Sequence, residues 1–182
     1  ALRLAQAKLH ADPDEAAKLL SGASEELAQA LEELRELARG IHPAVLSDRG
    51  LSAALEALAG RAPLPVEVLA PEERLPPPVE AAAYYVVSEA LANVAKYAQA
   101  SSVGVRVTRL NGNAVVEVAD DGPGVKPEIA ARIFEPLVTG RSGGTGLGLA
   151  LAKRIVVAHE GTIALAAAVK GATFRIELPA VG

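Results

Sequence analysis

The sequence contains no cysteine, no methionine and no tryptophan. Without cysteine there is no disulfide scaffold, no thiol nucleophile and no cysteine-ligated zinc site. The same absence fits a reducing compartment, and a cytoplasmic location is the expectation. The natural start residue is missing, and Ala1-Leu2-Arg3-Leu4 already has a helical rhythm, which reads as a piece of a longer protein. Aromatic residues are scarce. Tyr84, Tyr85, Tyr97, Phe134 and Phe174 are too few for a base-stacking surface. A net charge of -4, from 18 basic and 22 acidic residues, argues against a nucleic-acid partner. No apolar run reaches the roughly 18 residues needed to span a bilayer, so no membrane contact is expected. No secretory signal is visible. What remains is a globular balance: 182 residues, 51% hydrophobic and 22% charged, enough for one or two small domains with a real core.

The first forty residues are rich in Ala, Leu, Glu and Arg. Asp12 suits a helix cap and Pro13 a first helical turn. From there to Arg39 only Gly22 interrupts, at a cost of about 1 kcal/mol relative to Ala. Leu20, Leu27, Leu34 and Ile41 recur every seventh residue, with Leu31 and Ala38 between them, which makes a seam for a partner helix. Leu2 to Leu9 reads as the tail of a preceding antiparallel helix. Gly40-Ile41-His42-Pro43 ends the long helix. A second helix is expected from Gly50 to Arg61, and a short strand from Val66 to Leu69. After Pro76-Pro77-Pro78 a helix is expected from Val79 to Gln99. Strands follow at Ser102 to Leu110 and Ala114 to Ala119, joined at Asn111-Gly112-Asn113. One short segment falls near Ile129 to Ile133, then a helix from Leu147 to His159. A last hairpin pairs Thr162 to Ala168 with Thr173 to Leu178 around Lys170-Gly171. This pattern predicts hairpin-connected strands packed beneath two or three helices.

Four segments carry polar residues that a plain layered domain does not need. Glu89, Asn93 and Lys96 share a helix face by their spacing, with Tyr97 at its edge. A solvated face would look the same, but an Asn oxygen suits Mg²⁺ and a Lys suits phosphate. Asp120-Asp121-Gly122-Pro123-Gly124 follows a valine-rich strand. It is an ordinary turn by composition, yet a carboxylate at a strand end can accept from an amine, and two glycines let a flat ring approach. Ile133-Phe134-Glu135-Pro136-Leu137 lies in a stretch of loop-like residues, which suits a lid or a simple connection. Gly143-Gly144-Thr145-Gly146-Leu147-Gly148 opens a helix and exposes backbone N–H groups to an anion. It is neither a P-loop nor a dinucleotide fingerprint.

Their order resembles the ATP-binding domain of sensor histidine kinases and the wider Bergerat-fold ATPases such as gyrase and MutL. Glu89, Asn93, Lys96 and Tyr97 look like the N box. Asp120, Gly122 and Gly124 look like the G1 box, Phe134 with Glu135-Pro136 the F box, and Gly144, Gly146 and Gly148 the G2 box. Gly171 to Pro179 is similar to the closing hairpin of these kinases. Leu37-Ala38-Arg39-Gly40-Ile41-His42-Pro43 with Leu46, Gly50 and Leu51 looks like the nitrate-sensor type. The F and G2 boxes look more like the orthodox kinases.

The resemblance implies an α+β fold, a two-layer sandwich with a mixed, mostly antiparallel sheet under helices, preceded by a helical hairpin remnant. It implies partial dimerisation helices and linker over residues 1–61 and an ATP-binding domain over 62–182. The implied activity is transfer of the ATP γ-phosphoryl to a histidine on a dimerisation helix, for relay to a response-regulator aspartate. Asp120, with Thr173 assisting, would hold adenine, and Tyr97 would pack on the base or ribose side. Asn93 would ligate Mg²⁺, with Glu89 as base, positioning residue or indirect metal partner. Lys96, Arg141, Gly144, Thr145, Gly146, Leu147 and Gly148 would meet the phosphates or close over them. His10, His42 and His159 do not match the acceptor position, so the acceptor helix is expected to be missing. Homodimerisation through the N-terminal helices is expected in the parent protein. A related ATPase, an anti-sigma serine kinase and a non-catalytic nucleotide-binding dimerisation module are the competing readings.

Overall fold

The computed structural model describes residues 43–138 and 146–180. The expected N-terminal helices, with His10 and His42, lie outside the described residues. The chain divides into two units, 1–41 and 42–182, and the described residues all belong to the second.

Helix α1 (Ala44–Ala59) begins earlier than the sequence rhythm predicts and is broken at Gly50, whose φ of 81° is non-helical. It contributes Leu46, Leu51, Ala54 and Leu55 to the main hydrophobic core. The sequence reading places a domain boundary after Arg61, on the far side of this helix. Strand β1 (Val66–Leu69) follows. Helix α2 (Pro77–Asn93) starts on the proline cluster, because Pro76 offers its carbonyl to the N–H groups of Val79 and Glu80. Pro77 and Pro78 occupy first-turn positions that need no N–H. The expected single helix to Gln99 changes at Val94 into a π-turn (Val94–Ala98), and Gln99 closes it with φ 48°.

Strands β2 (Val103–Leu110) and β3 (Asn113–Asp120) form the expected hairpin. Asn111 and Gly112 both take positive φ, 51° and 80°, the signature of a tight turn whose twist suits two strands. A four-residue helix α3 (Pro127–Ala130), helix α4 (Gly148–Ala158), and strands β4 (Thr162–Ala166) and β5 (Thr173–Pro179) complete the unit.

The five strands lie in the order β1-β2-β3-β5-β4. β1 runs parallel to β2, and every other neighbour is antiparallel. The sheet is therefore mixed and mostly antiparallel, and the fold is an α+β sandwich. Alternation sets its two faces. Val103, Val105, Val107, Val116, Val118, Ile176 and Leu178 point to the helix side and are buried with Val79, Val86, Val87, Ala152 and Val156. Each fully buried Val, Leu or Ile contributes about 1.5–3 kcal/mol. The opposite face carries Arg106, Glu117, Arg175 and Glu177. There Arg175 bonds Glu117 at 2.9 Å and Glu177 at 2.9 Å.

Candidate functional site

The polar segments, scattered along the sequence, meet at one end of the sheet. On α2, Asn93 Nδ2 donates to Glu89 Oε1 at 2.9 Å. That bond turns the Asn93 amide oxygen away from the carboxylate. Glu89 itself sits against the start of α4, where a Cβ at Gly148 would overlap its Oε1. A side chain at position 148 would therefore displace the Glu89 carboxylate from this place. Leu147 precedes α4 without a side-chain cap, so the helix's first N–H groups face the same place. Tyr85, one turn before Glu89 and half-buried, has its phenol pushed up to about 12 by burial and by the Glu89 charge.

The π-turn winds wider than an α-helix and takes in both Lys96 and Tyr97. Lys96 is exposed and Tyr97 half-buried. Glu89 and Asn93 share a face of α2, and Lys96 follows them in the π-turn rather than in the α-helix.

Asp120 ends β3 on the helix side of the sheet and is only 7% exposed. Its Oδ1 accepts from the Gly122 N–H at 2.9 Å. Three glycines crowd around it. A Cβ at Gly122 would overlap the Ala98 carbonyl oxygen at the end of the π-turn. Gly124, with φ 78°, would place one 2.7 Å from the Gly171 oxygen. Gly171, with φ 72°, would drive one into the Asp120 carbonyl. No side chain fits at these three points, so the backbones close into a tight collar around one carboxylate.

The adjacent Asp121 has a different task. Its Oδ1 accepts from the N–H groups of Ser101 and Ser102 at 2.7 and 3.0 Å. Those two bonds hold its carboxyl below the usual range, and Lys170, 3.6 Å away, adds to them.

Thr173 is not brought beside Asp120. The register pairs Thr173 with Ala119, while the Asp120 N–H donates to the Ala172 carbonyl at 3.0 Å. In a pleated pair, facing residues share a side. Ala172 is thus the helix-side neighbour of Asp120, and Thr173 belongs to the opposite face. Thr173, expected to assist Asp120 at the adenine, stands opposite Ala119 in the ladder. Counting alternation outward from buried Phe174 would have found it.

Leu137 and Gly146 lie against each other. The Leu137 N–H donates to the Gly146 carbonyl at 3.0 Å, and Gly146, with φ 65°, passes within 2.7 Å of Leu137 at its absent Cβ. Phe134 meets Phe174 edge-on, with ring centres 6.2 Å apart. Arg141, Gly144 and Thr145 lie outside the described residues. His159 Nδ1–H donates to the Ile155 carbonyl at 2.8 Å, a bond at the end of α4.

No cluster of three acidic or histidine side chains that could hold a metal occurs among the described residues. The donor set is one amide oxygen at Asn93 beside the Glu89 carboxylate. It fits Mg²⁺ held jointly by protein and phosphate oxygens, and does not fit an all-protein cage.

The sequence pattern of the family described as histidine kinase-, DNA gyrase B-, and HSP90-like ATPase matches residues 79–182. The chain belongs to this family, whose ATP-binding domain the fold and the site define. The histidine kinases are the branch it is most similar to here. The sensor histidine kinase MctS of Rhizobium johnstonii is 32% identical over 185 residues, which covers 98% of this chain and 38% of that protein. The sensory histidine kinase/phosphatase NtrB of Rhodobacter capsulatus is 55% identical over 64 residues, covering 35% and 18%. Among solved structures, the mycobacterial sensor histidine kinase MprB aligns with a TM-score of 0.55 and 28% identity, over 72% of this chain and 92% of that one. The chain thus spans well under half the length of these two curated relatives.

Proposed function

We propose that this chain is the ATP-binding catalytic core of a two-component sensor histidine kinase. One observation carries the reading. Five segments far apart in the chain are joined in series: Leu137 against Gly146, Gly148 against Glu89, Ala98 against Gly122, and Gly124 and Gly171 around Asp120. A buried carboxylate at one end and an Asn–Glu pair beside a helix N-terminus at the other suit a ligand with an amino-bearing ring and a polyphosphate.

In this reading Asp120 accepts from the adenine amine. Gly122 and Gly124 let the ring lie against backbone, and Tyr97 flanks the base or ribose. The N–H groups around Gly146, Leu147 and Gly148 receive phosphate oxygens. Lys96, Arg141, Gly144 and Thr145 complete the charge balance when the lid closes. Asn93 would hold Mg²⁺, which would supply charge neutralisation for the phosphates, with Glu89 fixing the amide's orientation. Glu89 is also the group that orients or deprotonates the acceptor. Phosphoryl transfer asks chiefly for such positioning and charge neutralisation.

The parent enzyme works, on this proposal, as a homodimer through helices in residues 1–61, in the cytoplasm, and relays phosphate to a response regulator. The acceptor is a histidine other than His10, His42 and His159.

Titration with ATP, with and without Mg²⁺, tests the site. Asp120→Ala should weaken binding about 10- to 100-fold, the worth of a hydrogen bond to a charged group. Asn93→Ala should remove only the Mg²⁺-dependent part. Nucleotide binding indifferent to Asp120 would overturn the assignment. Incubation with Mg-ATP and a separate acceptor helix should put acid-labile phosphate on that helix. The same phosphate on this chain alone would contradict the acceptor assignment.

A further inference from the structure

Residues 43–49 are attached to the rest of the unit in an unusual way. Helix α1 does not run continuously through them, because Gly50 (φ 81°) interrupts its backbone. The short piece before the break has no side-chain cap and no acidic residue in its first turn. A single turn of helix does not stand alone in water, since nucleation is unfavourable. Something tertiary must hold it. Leu46, 1% exposed, provides one anchor.

Arg74 provides the other. Its Nε and Nη2 donate to the two carboxylate oxygens of Glu80, at 2.9 and 2.8 Å, in a forked pair. Its Nη1 reaches the Ser47 carbonyl at 3.4 Å. The Leu75 N–H also donates to Glu80 Oε1, at 3.0 Å. The Glu80 side chain is 2% exposed, whereas that of Arg74 is 49% exposed. The buried member is therefore fixed and the bridging member is open to solvent. Gly50 belongs to the same device: a Cβ there would come within 2.8 Å of Arg74 Cδ. Its bareness lets the arginine stem pass across the helix break. A cavity of about 170 Å³, lined by Leu46, Ser47, Arg74, Pro77 and Glu80, lies alongside. It is partly open to solvent, so water reaches the Arg74–Glu80 pair from this side.

We propose that Arg74, seated on buried Glu80, is a latch for residues 43–49. Closed, it docks the segment onto the start of α2. Opened, it releases the segment as a local unit while the sheet and the remaining core stay folded. Local opening of this kind is favoured by a break in the helix backbone, which Gly50 provides, and has to withdraw only Val45 and Leu46 from the core. The latch does not depend on what the nucleotide site binds.

Hydrogen exchange on the full chain tests it. In Arg74→Ala, the amides of residues 46–49 and of Leu75 should lose protection by at least about tenfold relative to amides of β3 and β5, which report global unfolding. Arg74→Lys keeps the charge without the fork and should fall between. Removing Arg74 leaves Glu80 buried without its partner, which can unfold the whole unit. The double variant Arg74→Met with Glu80→Gln removes both charges and should reproduce the local loss. Residues 46–49 keeping pace with the strand amides in either variant would overturn the latch. Failure of the double variant to fold would also overturn it, by making the pair a global support.

Discussion

Asp120 and Asp121 are neighbours in the chain and opposites in setting, which makes their substitutions separable. Asp120 faces the helix layer inside the glycine collar, and Asp121 bridges the Ser101–Ser102 backbone to the Lys170 turn. Because the folded-state carboxyl of Asp121 is depressed, it contributes stability above its unfolded value near about 4. That contribution is lost as pH falls through the lower folded value. Asp121→Asn should therefore flatten the acid side of the stability profile, read as urea midpoints between pH 5 and the acid limit, and leave ATP affinity near that of the parent. Tyr85 runs the other way. Its phenol is held protonated up to about 12. The stability it carries is complete below the unfolded value near about 10 and is lost as pH rises toward the folded one. Alkaline midpoints should thus fall less steeply in Tyr85→Phe. An unchanged slope would mean that Tyr85 ionises freely in the folded state.

Glycine substitutions differ sharply by element. At Gly171 a Cβ would meet backbone at the Asp120 carbonyl, and φ is 72°. Gly171→Ala should cost at least about 2 kcal/mol, because neither strand can give way. At Gly148 the obstacle is the flexible end of Glu89. Gly148→Ala should cost less stability and should instead move the Glu89–Asn93 pair, so the Mg²⁺-dependent part of ATP binding should suffer most. Gly104 in β2 is the control: a Cβ there meets nothing within 4 Å. Gly104→Ala should be stabilising by about 0.5 kcal/mol, as for glycine in a strand interior. Denaturant midpoints of the three variants, with one ATP titration each, check the series. Element limits were readable where local chemistry is decisive. Asn111-Gly112 marked the hairpin and the proline cluster marked the start of α2. The π-turn after Asn93 was not readable, since its residues suit an α-helix equally, and the approach of its Ala98 carbonyl to Gly122 is a tertiary contact.

The described unit is held by a core that α1 shares with the sheet-covering helices. Leu55, 1% exposed, sits in it. Leu55→Ala should destabilise the entire unit by about 2–5 kcal/mol, as for a leucine lost from a packed core. A loss confined to α1, with strand amides unaffected, would separate that helix from the nucleotide-binding unit. The sequence by itself determined the strands on both sides of Asn111-Gly112, the helix that carries Glu89 and Asn93, and the order of the glycine segments. These rest on alternation, spacing and turn chemistry within a few residues. Tertiary structure alone decided that β5 inserts between β3 and β4, and that β1 joins the edge in parallel. It also turned Ala172 rather than Thr173 toward Asp120, and it joined Arg74 to Glu80 across the break in α1. The reason is physical. A one-residue change of register reverses every side chain on a strand, and which register wins depends on contacts between segments far apart in the chain.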